Sequence, residues 1–464
     1  MRPAAALAVA LATLFAAPAR AQTPPRGDTI IDRWAEAMAA AYARRWAGPT
    51  VEWPAPSARP EAAGVVRSRE HPVSLHVGPR VSAARADVAL GALEAAYDFL
   101  ATRRWPLPMA DAGRGGDGGF DLYLVEGEPG AARPIAVGYD VDHVHDGLDG
   151  AVPFARLDPT EVPDDRLAGC VTSALVQASL LGFDPAEAPS WRIATGDYVA
   201  WLLTGHFGCG EEGVVAQQRE SARSWIDDDP TSGEGGALLL AALSARADER
   251  TGDFIRDLWE AATQRSWDSP RLRAAPDLWQ VLNAVMEAGR DPLPRFLEDV
   301  GVGRWFAGPE ARRRHAPMAL FGALPEDAAV PLEGRTRYGE LPRRFEPRGL
   351  ELAPYGSAYV VVDTGDAPAG SLLRIWLRGE LGVGWALGAV RVGADGRERG
   401  RVRAPVRPLD PRSYIPLELT DAATDHVVIV VTNLGARLVD ADEPDDQVRS
   451  FRLILDRGPA DGAP

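Results

Sequence analysis

Residues 162–181, VPDDRLAGCVTSALVQASLL, and residues 191–204, WRIATGDYVAWLLT, read as two consecutive helices, and what surrounds them decides the fold. Upstream, Val73, Leu75 and Val77 alternate as a strand does, and Phe120 to Val125 and Gly150 to Leu157 are further strand candidates. Ala83 to Thr102 lies between them as an amphipathic helix. It carries Leu90, Leu93, Ala96, Tyr97 and Leu100 on one face and ends before Pro106 and Pro108. An earlier helix is expected over Ile30 to Trp46, with Asp28 or Thr29 as its cap. Downstream, Ala237 to Ala247, Phe254 to Gln264, Leu278 to Met286 and Leu293 to Trp305 each show an apolar helical face, with Pro230, Pro270, Pro276 and Pro292 as punctuation. Residues 307–347 are rich in Pro, Gly and Arg and read as a linker or wrapping segment. From Ser357 onward the period shortens. Segments beginning at Ser357, Leu372, Val383, Arg401, Tyr414, His426 and Val448 read as short strands, a pattern that predicts an antiparallel β-sandwich. The fold class expected is therefore α+β, with a helical second half before the C-terminal strands.

The chain opens with Arg2, an apolar run from Leu7 to Ala17, and Ala19-Arg20-Ala21. That is the layout of a cleaved secretory signal peptide, cut after Ala21, and it predicts a periplasmic or secreted protein. No Cys follows the cut to anchor a lipid, and no later stretch is apolar for long enough to span a bilayer. Roughly 440 mature residues suggest two or three domains. The net charge is −16, and removing residues 1–21, with Arg2 and Arg20 and no acid, makes it −18. Such a charge disfavours nucleic acid and anionic membranes as partners. All 50 basic residues are Arg. Without Lys there is no Schiff-base amine, no phosphate-loop Lys and no Ser-x-x-Lys pair. The two cysteines, Cys170 and Cys209, form an even pair in an oxidising compartment and read as a disulfide. A reactive Cys nucleophile is the other reading.

Other motifs weigh less. Gly113-Arg114-Gly115-Gly116-Asp117-Gly118 matches a dinucleotide fingerprint in letters only, because it follows a helix end and precedes a strand; a flexible loop is expected. Asp140, Asp142, His143, His145, Asp146 and Asp149 form the densest cluster of ligand-type side chains. His143, His145 and Asp146 are weak metal candidates, since two imidazoles and a carboxylate suffice to hold an ion, but a solvated polar loop explains them as well. Asp227 to Asp229 read as an exposed turn. His71, His76, His206, His315 and His426 are isolated and read as structural. No Gly-x-Ser-x-Gly elbow is present to anchor an α/β-hydrolase.

From Pro72 to about Phe306 the order of elements resembles the gluzincin-like zinc metallopeptidases of bacterial secretions. The strands FDLYLV (120–125) and GAVPFARL (150–157) precede a helix, as the family's strands precede the helix that carries His-Glu-x-x-His. A second helix with Trp and Tyr then carries the family's third ligand, a Glu. The resemblance implies a zincin-like α/β N-terminal half and a closing β-sandwich. It also implies that the chemistry is lost. Cys170 stands at the first His, Val171 at the Glu and Ala174 at the second His; only Gln177 matches, and Trp191 and Tyr198 have no Glu between them. Asp197 is the nearest carboxylate, in a register that looks wrong for a ligand. Two His at i and i+4 grip zinc from one helix face, and the Glu takes a proton from zinc-bound water. Ala174 cannot ligate and Val171 cannot accept a proton. A 170–209 disulfide would tie the two former ligand helices covalently.

These readings divide the chain into a signal peptide (1–21), a leader with a helix (22–64), a zincin-like α/β subdomain (65–210), a helical subdomain and linker (211–347) and a β-sandwich domain (348–464). The function expected is that of an exported, catalytically inactive metallopeptidase-like protein with a binding or structural role. It would take no cofactor, and its partner would be a peptide or protein. Two alternatives stand beside it: an active hydrolase using His143, His145 and neighbouring carboxylates or a glycosidase-type carboxylate pair, and a surface-binding protein acting through residues 348–457.

Overall fold

The computed structural model describes residues 30–43, 50–53, 55–127, 133–140, 150–225, 230–247, 251–263, 271–307, 324, 328–346, 351–407, 410–419, 424–435 and 448–458. Among them the chain is mixed α and β. It opens with α1 (Ile30–Ala43) and a two-residue strand β1 (Thr50–Val51). Then come β2 (Gly64–Arg67), β3 (Val73–Val77), α2 (Ala83–Arg103), β4 (Phe120–Leu124), β5 (Ile135–Asp140), β6 (Val152–Leu157), α3 (Leu167–Phe183) and α4 (Pro189–Thr204). The first large sheet has the order β2-β3-β4-β6-β5. Its three central strands are parallel, and both edges, β2 and β5, run antiparallel.

Alternation along β3 and β4 sends Val73, Leu75, Phe120, Leu122 and Leu124 into one core with Leu93, Ala96 and Leu100 of α2 and Val171, Ala174 and Leu175 of α3. The Ser82 hydroxyl caps α2 by accepting from the Arg85 N–H at 3.2 Å. Helix α3 begins at Leu167 rather than Val162, because Pro163 to Arg166 fold into a turn closed by the Arg166 N–H on the Pro163 carbonyl. The residue before a proline is pushed out of helical conformation, so Val162 cannot start the helix. Of the 17 residues of α3, 15 are buried, and it is a core helix rather than a surface one.

A 3₁₀ turn (Gly208–Gly210) leads to α5 (Glu211–Arg219), α6 (Pro230–Arg246), α7 (Asp253–Ala262), β7 (Leu272–Arg273), α8 (Leu278–Ala288) and α9 (Leu293–Trp305). β7 pairs with β1. Three elements of the chain lie where the sequence pattern shows little. β2, β5 and α5 bury few apolar side chains; α5 buries only Val214, Gln217 and Gln218.

The C-terminal strands are β8 (Gly334–Arg337), β9 (Arg343–Phe345), β10 (Ser357–Asp363), β11 (Ser371–Gly379), β12 (Trp385–Gly393), β13 (Glu398–Arg403), β14 (Arg412–Leu419), β15 (Thr424–Asn433) and β16 (Phe451–Gly458). They form a five-stranded sheet, β13-β12-β15-β10-β8, and a four-stranded sheet, β14-β11-β16-β9. All pairings are antiparallel except β8 with β10. The segment read as a linker thus contributes an edge strand to each sheet. Its strands, GRTR and RRF, carry almost no apolar side chains, as suits edges that must resist further pairing.

Val360, Leu387 and Ile429 of the five-stranded sheet share a core with Ile375, Leu417 and Leu453 of the four-stranded one. The other face of the five-stranded sheet is covered too. Tyr359, Val361, Val390 and Val428 pack on Val302 and Phe306 at the end of α9, and the Tyr359 hydroxyl donates to the Gly301 carbonyl at 2.7 Å. Arg403 and Arg401 of β13 pair with Glu298 at 3.3 Å and Asp299 at 2.8 Å beside that contact. Burial on both faces explains the continuous apolar run VVIVV in β15. The four-stranded sheet behaves differently: β14 and β16 alternate buried and open positions, so its outer face is uncovered by described residues.

Candidate functional site

The helix pair α3 and α4 carries the positions at which the resemblance places zinc chemistry. Cys170, Ala174 and Gln177 fall at i, i+4 and i+7 and share one face of α3. Cys170 and Val171 are at most 1% exposed, Ala174 is 0% and Gln177 is 3%. The disulfide is formed: Cys170 and Cys209 are joined, 39 residues apart in sequence and 4.9 Å between Cα atoms. Cys209 sits in the 3₁₀ turn after α4, so the bond ties α3 to the chain leaving α4.

Asp197 of α4 faces α3. Its hydrogen bond goes to Ser173, the residue before Ala174 and three after Cys170. The Ser173 hydroxyl donates to Asp197 Oδ1 at 2.6 Å, and Gln177 Nε2 donates to the same hydroxyl at 2.8 Å. The helices touch closely here, because a Cβ on Gly196 would lie 2.8 Å from the Ser173 carbonyl oxygen and from Gln177 Cγ. Oδ2 of Asp197 has no hydrogen-bond partner among the described residues. Burial pushes the Asp197 carboxyl up to about 8; Arg133 opposes the shift, and Glu234 and Glu211 add to it. Asp197 is therefore a neutral acid at pH 7, enclosed between helices, and the pair forms a closed core rather than a cleft.

A second polar group lies on the sheet face turned away from α2 and α3. His76 of β3, Asp121 and Tyr123 of β4 and Asp140 of β5 are gathered there around Arg59, which arrives on the extended segment after β1. The Arg59 guanidinium meets Asp140 at 2.6 Å, Asp111 at 3.2 Å and also Asp121, and it lies over the Phe154 ring. Asp121 is fully buried and bonds His76 Nε2 at 2.7 Å, and His76 stacks on Tyr123 at 4.3 Å. Asp111 accepts from the Gly113 and Gly115 N–H groups at 2.8 and 2.7 Å. The glycine-rich stretch thus folds around a carboxylate of its own chain and is ordered by it. Burial works against the charge on Arg59, but its bonds to Asp140 and Tyr123 and the field of Asp121 raise its pKa above the usual Arg range. Burial also raises Asp111, against the two glycine N–H donors. Arg59 is shared among the three carboxylates and offsets part of their mutual repulsion, and the cluster fastens residues 55–63 across the sheet.

His143, His145 and Asp146 lie outside the described residues, as do Asp142, Asp149, Asp227 to Asp229 and His315. Asp140, at the near edge of the His143 cluster, serves Arg59. His71 pairs with Asp98 at 3.2 Å, and His426 with Asp425 at 2.9 Å. Among the described residues no three His, Cys, Asp or Glu side chains converge as a metal-binding group, and no helix is long and apolar enough to cross a membrane. Of this group the sequence pattern points to Asp140, within the His143 cluster, and to His76 as structural, but not to Arg59, Asp111 or Asp121. A signal for them exists: Asp121 and His76 interrupt the apolar pattern of FDLYL and VSLHV on one face of the sheet, as diagonal neighbours, with Asp121 opposite Ser74 and His76 opposite Tyr123.

No family model and no curated protein matches the chain. Among solved structures, a family GH115 4-O-methyl-alpha-glucuronidase described as having specificity for decorated arabinogalactans aligns at 9% identity with a TM-score of 0.14. The alignment covers 76% of this chain and 53% of that one, so this chain spans about half that protein's length. A TM-score of that size carries no argument about fold or activity.

Proposed function

We propose that this chain is an exported, catalytically inactive metallopeptidase-like protein with a C-terminal β-sandwich and a binding or structural role toward a peptide or protein. The observation that carries the reading is the state of the motif face of α3. Cys170, Val171 and Ala174 stand where a zinc peptidase needs His, Glu and His. The sulfur that would be a ligand is consumed in the bond to Cys209, and neither Val171 nor Ala174 has an atom to give a metal. The residues present do not fit zinc. The nearest acid, Asp197, is fully buried and accepts from the Ser173 hydroxyl, with its carboxyl pushed up to about 8 by burial.

The element order supports the same reading: β3, α2, β4, β6, α3 and α4 come in the order the resemblance implies, with the edge strand β5 inserted between β4 and β6. The covalent tie from α3 to the turn that leaves α4 takes over the fastening that a metal would provide. The open outer face of the four-stranded sheet favours a second reading, a surface-binding protein acting through residues 348–457.

The test is metal analysis and a free-thiol count on the same purified sample, with a peptidase assay run with and without a chelator. The proposal expects no bound zinc in stoichiometric amount, no free thiol until reduction, and no chelator-sensitive cleavage. Stoichiometric zinc together with chelator-sensitive peptidase activity would overturn it.

A further inference from the structure

The outer face of the four-stranded sheet holds a groove of about 890 Å³. Register fixes what lines it. Trp376 of β11 lies directly opposite Tyr414 of β14 on one side and Ile454 of β16 on the other. The two rings are stacked, with centroids 5.2 Å apart and planes inclined by 29°. Tyr414 is 42% and Ile454 41% exposed, so an apolar row crosses the sheet and meets solvent. A protein whose outer polar face is otherwise charged gains nothing from such a row in isolation.

The next row is basic. Arg378 stands opposite Arg412 and Arg452. Like charges directly across a sheet repel. Arg452 is relieved by Glu346. Arg412 is paired with Asp410 at 3.3 Å, but Asp410 is shared with Arg407 at 3.6 Å. Arg378 is exposed and has no ion pair among the described residues. On the other side of the apolar row, Arg374 faces Asp456 in register. A locally basic rim in a chain of net charge −16 points to an anionic occupant.

We propose that this groove binds an acidic polysaccharide, with a sugar ring stacked on Trp376 and Tyr414 and a uronate carboxylate held by Arg378 and Arg412. Aromatic side chains offer a flat apolar face to the CH side of a sugar ring. The guanidinium fork matches a carboxylate in two bonds at once. Asp410 and Asp456 line the same groove and accept from sugar hydroxyls. The aromatic row crosses the sheet face, where a ligand meets side chains, and β14 at its border is an edge strand, so the poly-glutamate arm of the test below covers an acidic peptide as occupant. This inference goes beyond the loss of zinc chemistry and stands whether or not α3 and α4 have a metal-binding ancestry.

The experiment uses the full mature chain in affinity electrophoresis and calorimetric titration with polygalacturonate, with uncharged dextran and with poly-glutamate. Polygalacturonate is expected to bind at least about tenfold more tightly than either, with an affinity that falls as salt is raised. Trp376→Ala should weaken binding by about tenfold or more. Arg378→Gln, at an exposed position that the fold does not need, should weaken it and flatten the salt dependence. Binding of polygalacturonate no tighter than dextran would overturn the proposal. So would equal binding of poly-glutamate, which would make the groove a reader of charge alone, or binding that survives Arg378→Gln unchanged.

Discussion

Replacing Asp197 with Asn tests whether the α3–α4 interface is a sealed core. The Asp197 carboxyl has an ordinary value of 3.8 and is pushed up to about 8 in the folded protein by burial. Between these two values the native state keeps a proton that the unfolded chain has released. The group's contribution is therefore intact below about pH 4, is lost steadily as pH rises, and levels off above about pH 8. The slope is about 1.4 kcal/mol per pH unit, so at pH 7 the wild type has given up about 4 kcal/mol. Asn keeps the shape and the acceptor for Ser173 and has no proton to hold. The variant should match the wild type near pH 4 and exceed it by several kcal/mol at pH 7, an order-of-magnitude figure. Glu298, which burial also raises to about 7, is present in both proteins and cancels in the difference. Urea unfolding across this pH range, read by hydrogen exchange of peptides covering residues 167–183, isolates the helix pair from the C-terminal sheets. A difference between the two proteins that stays flat from pH 5 to pH 8 would refute the reasoning, because Asp197 would then be ionised and solvated within a site that admits water.

Three further outcomes follow from the same geometry. Cys170→Ser with Cys209→Ser should lower stability by about 4 kcal/mol, the loop-closure figure for a separation of 39 residues, and should lower the melting temperature of the helical part first. Arg59→Gln leaves Asp111, Asp121 and Asp140 facing one another and should cost about 3–5 kcal/mol at neutral pH; acidification should restore part of the loss, checked by thermal unfolding at several pH values. Tyr359→Phe removes only the hydroxyl that donates to Gly301 and should cost about 1 kcal/mol, with faster proteolysis between α9 and the five-stranded sheet as the readout.

The elements with strong local periodicity are legible in the amino-acid sequence. Val73–Val77 and Leu293–Trp305 match the expected spans, and α2 and β4 differ by a residue at one end. Such segments carry their instruction in the spacing of apolar side chains. The weakly apolar β2, β5, β8, β9 and α5 are not legible, since they are edges or surface pieces whose place is given by a neighbour. The glycine-rich stretch has the composition of a loose loop. It is instead a turn built on Asp111, whose carboxylate gathers two N–H groups.

Composition alone determined that Lys chemistry is absent and that only one intrachain disulfide is available, and the letters at positions 170, 171 and 174 alone remove the zinc ligands and the base. Tertiary structure decided the rest. It brought Asp197 onto Ser173 and drew Arg59 to carboxylates 62 and 81 residues away. It also laid α9 over one C-terminal sheet and left the other sheet's aromatic row open. The reason is physical. A residue type and its period are local properties of the chain, but whether a charge is neutralised or an apolar face is covered depends on the surface that arrives opposite it, and that surface comes from distant sequence.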